Sequence, residues 1–193
     1  MPKKIVLASA SPRREELLKQ LGLNFTIVPS NIDEDEYSCK NPVKLVKKLS
    51  EAKAEDVAVV VEDAIVIAAD TVVVYKDEIL GKPADKNEAK SMLGKLSGSE
   101  HQVYSGITVI SSNNNQSITE FDRTEVYMKK LNRDEIDLYI QSGEPMGKAG
   151  SYAIQGLGGV FVDRIEGSYF SVMGLPIHLL FDILKEFNIS IFS

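Results

Sequence analysis

Residues 5–21 (IVLASASPRREELLKQL) constrain the fold most, because they predict a strand, a short loop and a helix in direct succession. The β-branched Ile5 and Val6 favour a strand. Ser11 is a typical N-cap, and Pro12 is tolerated as a first helical residue. The chain is therefore expected to begin with a strand-to-helix unit, which is common in α/β proteins.

Two arginines follow at once in the first turn of the predicted helix. A helix N-terminus is already positive, so Arg13 and Arg14 are unfavourable there unless an anion binds. Backbone N–H groups, arginines and the Ser9 hydroxyl together favour a phosphate group as that anion. The alternative is that both arginines point into solvent at a small cost.

A carboxylate interrupts the most strand-like run of the chain, Ala64–Tyr75 (AIVIAADTVVVY). The run is apolar on both faces except at Asp70 and Thr71, which predicts a buried central strand. An ionised side chain there is costly unless it is paired or bound to a cation, so a functional role for Asp70 is favoured over a structural one. A predicted turn at 76–78 brings Lys82 back toward the same strand.

Two further charged residues are candidates with an ordinary alternative each. Helical spacing from Val46 places Lys53 on the apolar face of the helix that Pro42 begins, where a lysine could also lie along the core edge with its ammonium in water. Glu34 belongs to the acidic run 33–36, which predicts either a metal ligand or a solvated group of charges.

Composition limits the partners and cofactors. The 193 residues carry a formal net charge of −6, which argues against a nucleic-acid polymer as partner. One cysteine and two histidines exclude a cysteine-based or histidine-rich metal site, so carboxylates and ligand phosphates would hold Mg²⁺ or Mn²⁺. The short apolar start is unlike a signal peptide, and no apolar run is long enough to span a membrane. We expect a cytoplasmic protein.

The order of predicted elements favours an α/β fold. Strands and helices alternate at first, and a hairpin on either side of the turn at 113–115 then adds a long antiparallel section to a mixed sheet. We expect a single domain, residues 1–193, with two lobes. The sequence has no dinucleotide-binding glycine motif, no Walker lysine motif and no serine-hydrolase elbow.

Six motifs in this order resemble the Maf family of nucleoside triphosphate pyrophosphatases and extend over nearly the whole chain. They are SASPRREELL, AADTVV, LGKP, SGSEHQVYSG, KAGSYAIQG and GLP. The resemblance implies a two-lobed α/β domain that binds the nucleotide in the cleft between its lobes. It also implies hydrolysis of a nucleoside triphosphate to the monophosphate and pyrophosphate with a divalent metal ion. A homodimer is expected on the same ground.

Three positions distinguish the branches of that family. Arg13, Thr71 and Gln155 resemble the branch that acts on dTTP and UTP, whereas the 7-methyl-GTP branch typically has Trp, Gln and Glu there. A glutamine both donates and accepts hydrogen bonds, which suits the imide edge of uracil or thymine. The alternatives are a 7-methyl-GTP pyrophosphatase and a nucleotide- or nucleic-acid-binding regulator of septum formation without significant catalysis.

The resemblance and the chemistry assign the same roles. Asp70 would activate the attacking water, alone or as a metal ligand. Glu34 would help to hold the metal, and Ser9 would bind a phosphate oxygen. The triphosphate charge would be neutralised by four cations: Arg13, Arg14, Lys53 and Lys82.

Overall fold

A computed structural model describes residues 3–114 and 116–192. Its strands form one mixed sheet with the order β2-β1-β3-β5-β6-β7, and β4 pairs with β3. The pairs β1–β2 and β1–β3 are parallel, whereas β3–β4 and β6–β7 are antiparallel. The predicted α/β fold with a mixed sheet is confirmed. The strands are β1 (Lys4–Leu7), β2 (Phe25–Ile27), β3 (Ala64–Tyr75), β4 (Glu78–Leu80), β5 (Glu100–Ser111), β6 (Ser117–Met128) and β7 (Val162–Glu166).

Helices separate most of the strands. They are α1 (Pro12–Gln20), α2 (Pro42–Ala58), α3 (Lys86–Leu96), α4 (Arg133–Gln141), α5 (Tyr169–Met173) and α6 (Ile177–Glu186). Short 3-10 segments lie at Glu34–Glu36, Ala149–Ser151 and Leu157–Phe161. Within the described residues, no helix has both the length and the apolar composition that a membrane crossing requires.

The chain divides into two compact units. Unit 1 contains residues 1–70, 105–122 and 174–193, and unit 2 contains residues 71–104 and 123–173. The strands β3, β5 and β6 each contribute residues to both units.

The first helix is confirmed, and it begins at the predicted residues. Ser11 occupies the N-cap position and Pro12 the first turn, yet the Ser11 side chain makes no capping hydrogen bond. Instead, the backbone N–H of Ser11 donates to Ser9 Oγ at 3.2 Å. At the other end Gly22, with φ +70°, donates to the carbonyl of Lys19, as expected for a terminating glycine.

The core of unit 1 lies on both sides of β1 and β3, whose side chains are almost all buried. Val6, Ala8, Val66 and Ala68 are fully inaccessible and pack with residues of α2. Burial on both faces explains why the sequence of β3 is an uninterrupted apolar run before Asp70.

Unit 2 has its own core, which includes aromatic rings from α4 and from the glycine-rich segment, residues 147–174. Tyr139 and Phe161 meet edge to face with ring centroids 5.0 Å apart, and Tyr152 is buried in the same cluster. The remaining fully buried members include Leu93 and Leu96 of α3. The glycine-rich segment is thus anchored by its aromatic residues.

The predicted hairpin joins β5 to β6. Ser111 donates its N–H to the carbonyl of Gln116 across the connection, at 2.9 Å. Asn115, part of the predicted turn, lies outside the described residues. Residues 105–111 of β5 are buried and residues 117–123 of β6 are exposed or half-buried, so this part of the hairpin is half exposed.

Candidate functional site

Asp70 ends the first of the three segments that form unit 1, and it lies in the buried part of β3. Its exposed fraction is 6%, and the preceding Ala69 is inaccessible. The carboxylate accepts a hydrogen bond from Lys53 Nζ, with 2.6 Å between Oδ1 and the nitrogen. A buried carboxylate is thereby compensated by a buried cation, since leaving either one alone would be strongly unfavourable.

Lys53 joins two carboxylates. Its Nζ lies 2.6 Å from Asp70 Oδ1 and 2.7 Å from Glu34 Oε1, and the residue is only 8% exposed. The alternative of a lysine with its ammonium in water is therefore wrong. Glu34 begins the 3-10 segment Glu34–Glu36, and its carboxylate, 38% exposed, is held by this ion pair rather than only by solvent.

The helix that carries Lys53 is placed by a close contact with β5. A Cβ on Gly106 would lie 2.4 Å from the carbonyl oxygen of Val46, so only glycine lets α2 approach so closely. Nearby, Thr108 Oγ1 donates to Ser50 Oγ at 2.9 Å in a buried hydrogen bond. These contacts hold α2, the helix that carries Lys53, against β5.

The guanidinium of Arg14 forms two hydrogen bonds within unit 1. Its Nη1 donates to Ser9 Oγ at 3.1 Å and its Nε donates to the carbonyl of Gly174 at 2.8 Å. Ser9 itself is 8% exposed. The alternative in which both arginines point into solvent is therefore wrong for Arg14.

The electrostatics of Arg14 connect it with the two carboxylates. Burial lowers the pKa of Arg14, the negative charges of Asp70 and Glu34 raise it, and the neighbouring Arg13 lowers it. A guanidinium stays protonated in proteins, so Arg14 remains a cation. We call Arg14, Glu34, Lys53 and Asp70 the charged cluster.

The other candidates differ in their placement. Arg13 is half-buried beside Arg14 in the first turn of α1. Thr71, Lys82 and Gln155 belong to unit 2. Thr71 follows Asp70 on β3 and is half-buried, Lys82 is exposed after β4, and Gln155 is half-buried between two 3-10 segments. The structure therefore brings Ser9 and the charged cluster together within unit 1.

The described residues contain no group of three or more His, Cys, Asp and Glu side chains suited to hold a metal ion. Glu34 and Asp70 nevertheless direct one oxygen each at the same ammonium. One or two carboxylates completed by substrate phosphates is a usual arrangement for Mg²⁺, so these two residues fit such an ion.

Sequence reasoning missed three groups. Gly174 was noticed only as part of the GLP motif, although its carbonyl holds Arg14. Glu144 and Tyr139 were not noticed, although both hydrogen-bond the segment that carries Gln155. The glycine density of residues 147–174 was the available signal, since it predicts close approach of the backbone to other groups.

Two solved structures share the fold. A HAM1 protein from Coxiella burnetii matches with a TM-score of 0.52 and 15% identity, over 95% of this chain and 99% of that one. The Ham1 protein of Staphylococcus aureus matches with a TM-score of 0.54 and 14% identity, over the same shares. At this identity the likeness concerns the fold alone.

Sequence relatives are much closer. A protein of Desulforamulus reducens named dTTP/UTP pyrophosphatase is 48% identical, over 97% of this chain and 98% of its own length. A protein of the same name from Thermoanaerobacter pseudethanolicus is 52% identical, over 96% and 98%. The family description Maf-like protein matches residues 4–187. With a match of this extent and relatives this similar, the chain belongs to the family of Maf-like proteins.

Proposed function

We propose that this protein hydrolyses dTTP and UTP to the nucleoside monophosphate and pyrophosphate. The observation that carries the proposal is the buried pair of Asp70 and Lys53, with Arg14 and Glu34 in the same charged cluster. A buried carboxylate beside fixed cations suits the activation of water next to a polyphosphate. The names of the relatives, at 48–52% identity over nearly the whole chain, support the same substrates.

The reaction requires one proton transfer and one bond exchange. A carboxylate oxygen of Asp70 accepts a proton from water, and the water oxygen forms a bond to the α-phosphorus. The bond between the α-phosphorus and the bridging oxygen breaks, and pyrophosphate leaves with the electron pair. Asp70 then returns its proton to solvent.

Four cations are assigned to neutralising the triphosphate. Arg13, Arg14 and Lys53 counter its negative charge, and Lys82 is assigned the same role by its motif. Because Arg14 is held by Ser9 and Gly174, its position needs little reorganisation when charge builds on the leaving group. Ser9 supplies a hydroxyl to a phosphate oxygen.

A divalent ion, Mg²⁺ or Mn²⁺, is part of the proposal. Glu34 and Asp70 would hold it, since both carboxylates already face one cation, the Lys53 ammonium. When bound, such an ion would neutralise phosphate charge and polarise water.

Base selection is assigned to Arg13, Thr71 and Gln155. The carboxamide of Gln155 offers one donor and one acceptor, which match the imide edge of uracil or thymine.

The family match over residues 4–187 supports a single functional domain over residues 1–193. A cytoplasmic location and a homodimer complete the proposal.

The test is a product analysis. The purified protein is incubated with Mg²⁺ or Mn²⁺ and, separately, dTTP, UTP, 7-methyl-GTP and ITP, and the products are resolved by chromatography. We expect monophosphate and pyrophosphate from dTTP and UTP, and loss of turnover with a chelator. Diphosphate and phosphate would contradict the assigned bond, and turnover of 7-methyl-GTP alone would contradict the assigned base. No turnover of any nucleotide would favour the binding-regulator alternative.

A further inference from the structure

Glu144 holds the backbone that follows Gln155. Its Oε2 accepts the N–H of Leu157 at 2.9 Å, and its Oε1 accepts the N–H of Gly158 at 2.9 Å. Both amides come within three residues of Gln155. One carboxylate thus binds two consecutive amides on the C-terminal side of the predicted specificity residue.

Tyr139 holds the backbone that precedes Gln155. Its hydroxyl accepts the N–H of Ala153 at 3.2 Å and donates to Glu144 Oε1 at 2.8 Å. The ring is 5% exposed and packs edge to face on Phe161, so the hydroxyl has a fixed location. We call residues 153–158 the Gln155 segment, and it is held on both sides by one connected pair of side chains.

The fit between the Gln155 segment and this pair is tight. A Cβ on Gly156 would lie 2.5 Å from Glu144 Oε2, and one on Gly158 would lie 2.5 Å from the Tyr139 hydroxyl. Both distances are shorter than real side chains allow. The glycines therefore permit these two side-chain oxygens to lie this close to the backbone of the segment.

The charge state of Glu144 favours the same arrangement. Burial raises the pKa of Glu144, but hydrogen bonds from the amides of Gly158 and Leu157, the hydroxyl of Tyr139 and the charge of Lys148 together bring it below its ordinary value. The ionised carboxylate, which accepts hydrogen bonds and donates none, is thus the stable form.

We propose that Glu144 and Tyr139 are positioning residues that set the location of Gln155 for base selection. The inference rests on the proposed function, in which Gln155 binds the edge of the base. A hydrogen bond to the base weakens when its donor or acceptor is displaced. The charged cluster has contacts of its own within unit 1, among its members and with Ser9 and Gly174. Loosening the pair should therefore weaken nucleotide binding and base preference and leave the chemical step intact.

The test uses Glu144→Gln and Tyr139→Phe. The first keeps the shape but turns an NH₂ group toward an amide donor, and the second removes only the hydroxyl. The matched controls are Glu62→Gln, at an exposed glutamate, and Tyr169→Phe, at a partly exposed ring. We measure kcat and KM for UTP and CTP, because cytosine presents a different edge. For Glu144→Gln we expect KM for UTP to rise about tenfold and kcat to change less than about twofold.

A second background separates positioning from general loosening. If Glu144 acts through Gln155, then Glu144→Gln should change KM for UTP little in a protein that already carries Gln155→Ala. Hydrogen exchange should also be faster at the amides of Leu157 and Gly158 in Glu144→Gln than in Glu62→Gln.

Four results would overturn the inference. An active wild type whose KM, UTP preference and amide exchange are unchanged by Glu144→Gln would overturn the inference and leave the proposed function standing. An equal loss of kcat and of binding, or additive effects with Gln155→Ala, would also overturn it. A wild type that neither binds nor hydrolyses UTP would overturn the proposed function, and the inference with it.

Discussion

Unit 1 and unit 2 hold their candidate functional side chains in different ways. In the charged cluster of unit 1, side chains hold side chains: Lys53 binds Glu34 and Asp70 through opposite charges. In unit 2, the side chains of Tyr139 and Glu144 hold backbone amides of the Gln155 segment. The first arrangement fixes charges, whereas the second fixes the course of the chain.

The difference indicates what each region tolerates. Removing one charge from a buried ion pair leaves its partner uncompensated, so the charged cluster should respond strongly to any change of charge. Hydrogen bonds to backbone amides are individually weaker but directional, so the Gln155 segment should respond to changes of geometry. A region that fixes charges suits the binding of a polyphosphate, and a region that fixes a loop suits discrimination between bases.

The largest effect on stability is expected from Lys53→Met. It removes the shared cation of Asp70 and Glu34 without changing the side-chain volume greatly. We expect the free energy of unfolding to fall by about 3–5 kcal/mol, because a buried carboxylate loses its partner. Urea unfolding of the wild type and the variant measures the difference.

The double variant Lys53→Met with Asp70→Asn provides the control for that change. It removes the buried carboxylate as well, so it should be more stable than Lys53→Met alone. Additive losses in the two single variants would show that the two residues do not stabilise one another. They would contradict the statement that opposite charges hold the charged cluster of unit 1.

A smaller effect is expected in unit 2 from His101, a buried titratable group that is neutral. His101 is inaccessible to solvent, its Nε2 lies 2.8 Å from the Tyr152 hydroxyl, and its Nδ1 has no hydrogen-bond partner among the described residues. Burial lowers the pKa of His101 from 6.5 to about 4. As the pH falls, the unfolded chain therefore binds a proton at His101 at a higher pH than the folded chain does.

Stability should consequently depend on pH through His101. Its contribution is fully present above pH 6.5 and is lost as the pH falls toward 4, by up to about 3 kcal/mol. The variant His101→Gln keeps a polar group for Tyr152 but does not titrate. The loss of stability between pH 7 and pH 4.5 should be smaller in the variant than in the wild type, and equal losses in urea unfolding would refute this assignment.

Most elements could be predicted because their signals are local. The bounds of β3 were predicted as observed, since a strand buried on both faces needs an unbroken apolar run. The glycine that ends α1 has the backbone conformation that its position requires. Ser11 occupies the predicted N-cap position, but its side chain makes no capping hydrogen bond, although a serine at this position usually makes one.

The charged cluster could be predicted in part because charges within apolar patterns are conspicuous. Asp70 and Lys53 each stand where an apolar residue is expected, which marked them before any contact was known. The roles of Gly174 and Glu144 could not be predicted. Gly174 acts through its backbone carbonyl, and Glu144 binds amides 13 and 14 residues further along the chain, so neither has a local pattern.

The most direct test of the account compares Asp70→Asn with Gln155→Ala in UTP hydrolysis. Asp70→Asn should lower kcat by about 10²–10⁴-fold, the usual contribution of a general base. Gln155→Ala should raise KM and leave kcat largely unchanged. Asp77→Asn, an exposed aspartate in the turn before β4, serves as the matched control for the first change. A folded Asp70→Asn protein whose kcat stays within tenfold of the wild type would contradict the claim that the charged cluster of unit 1 performs the chemistry.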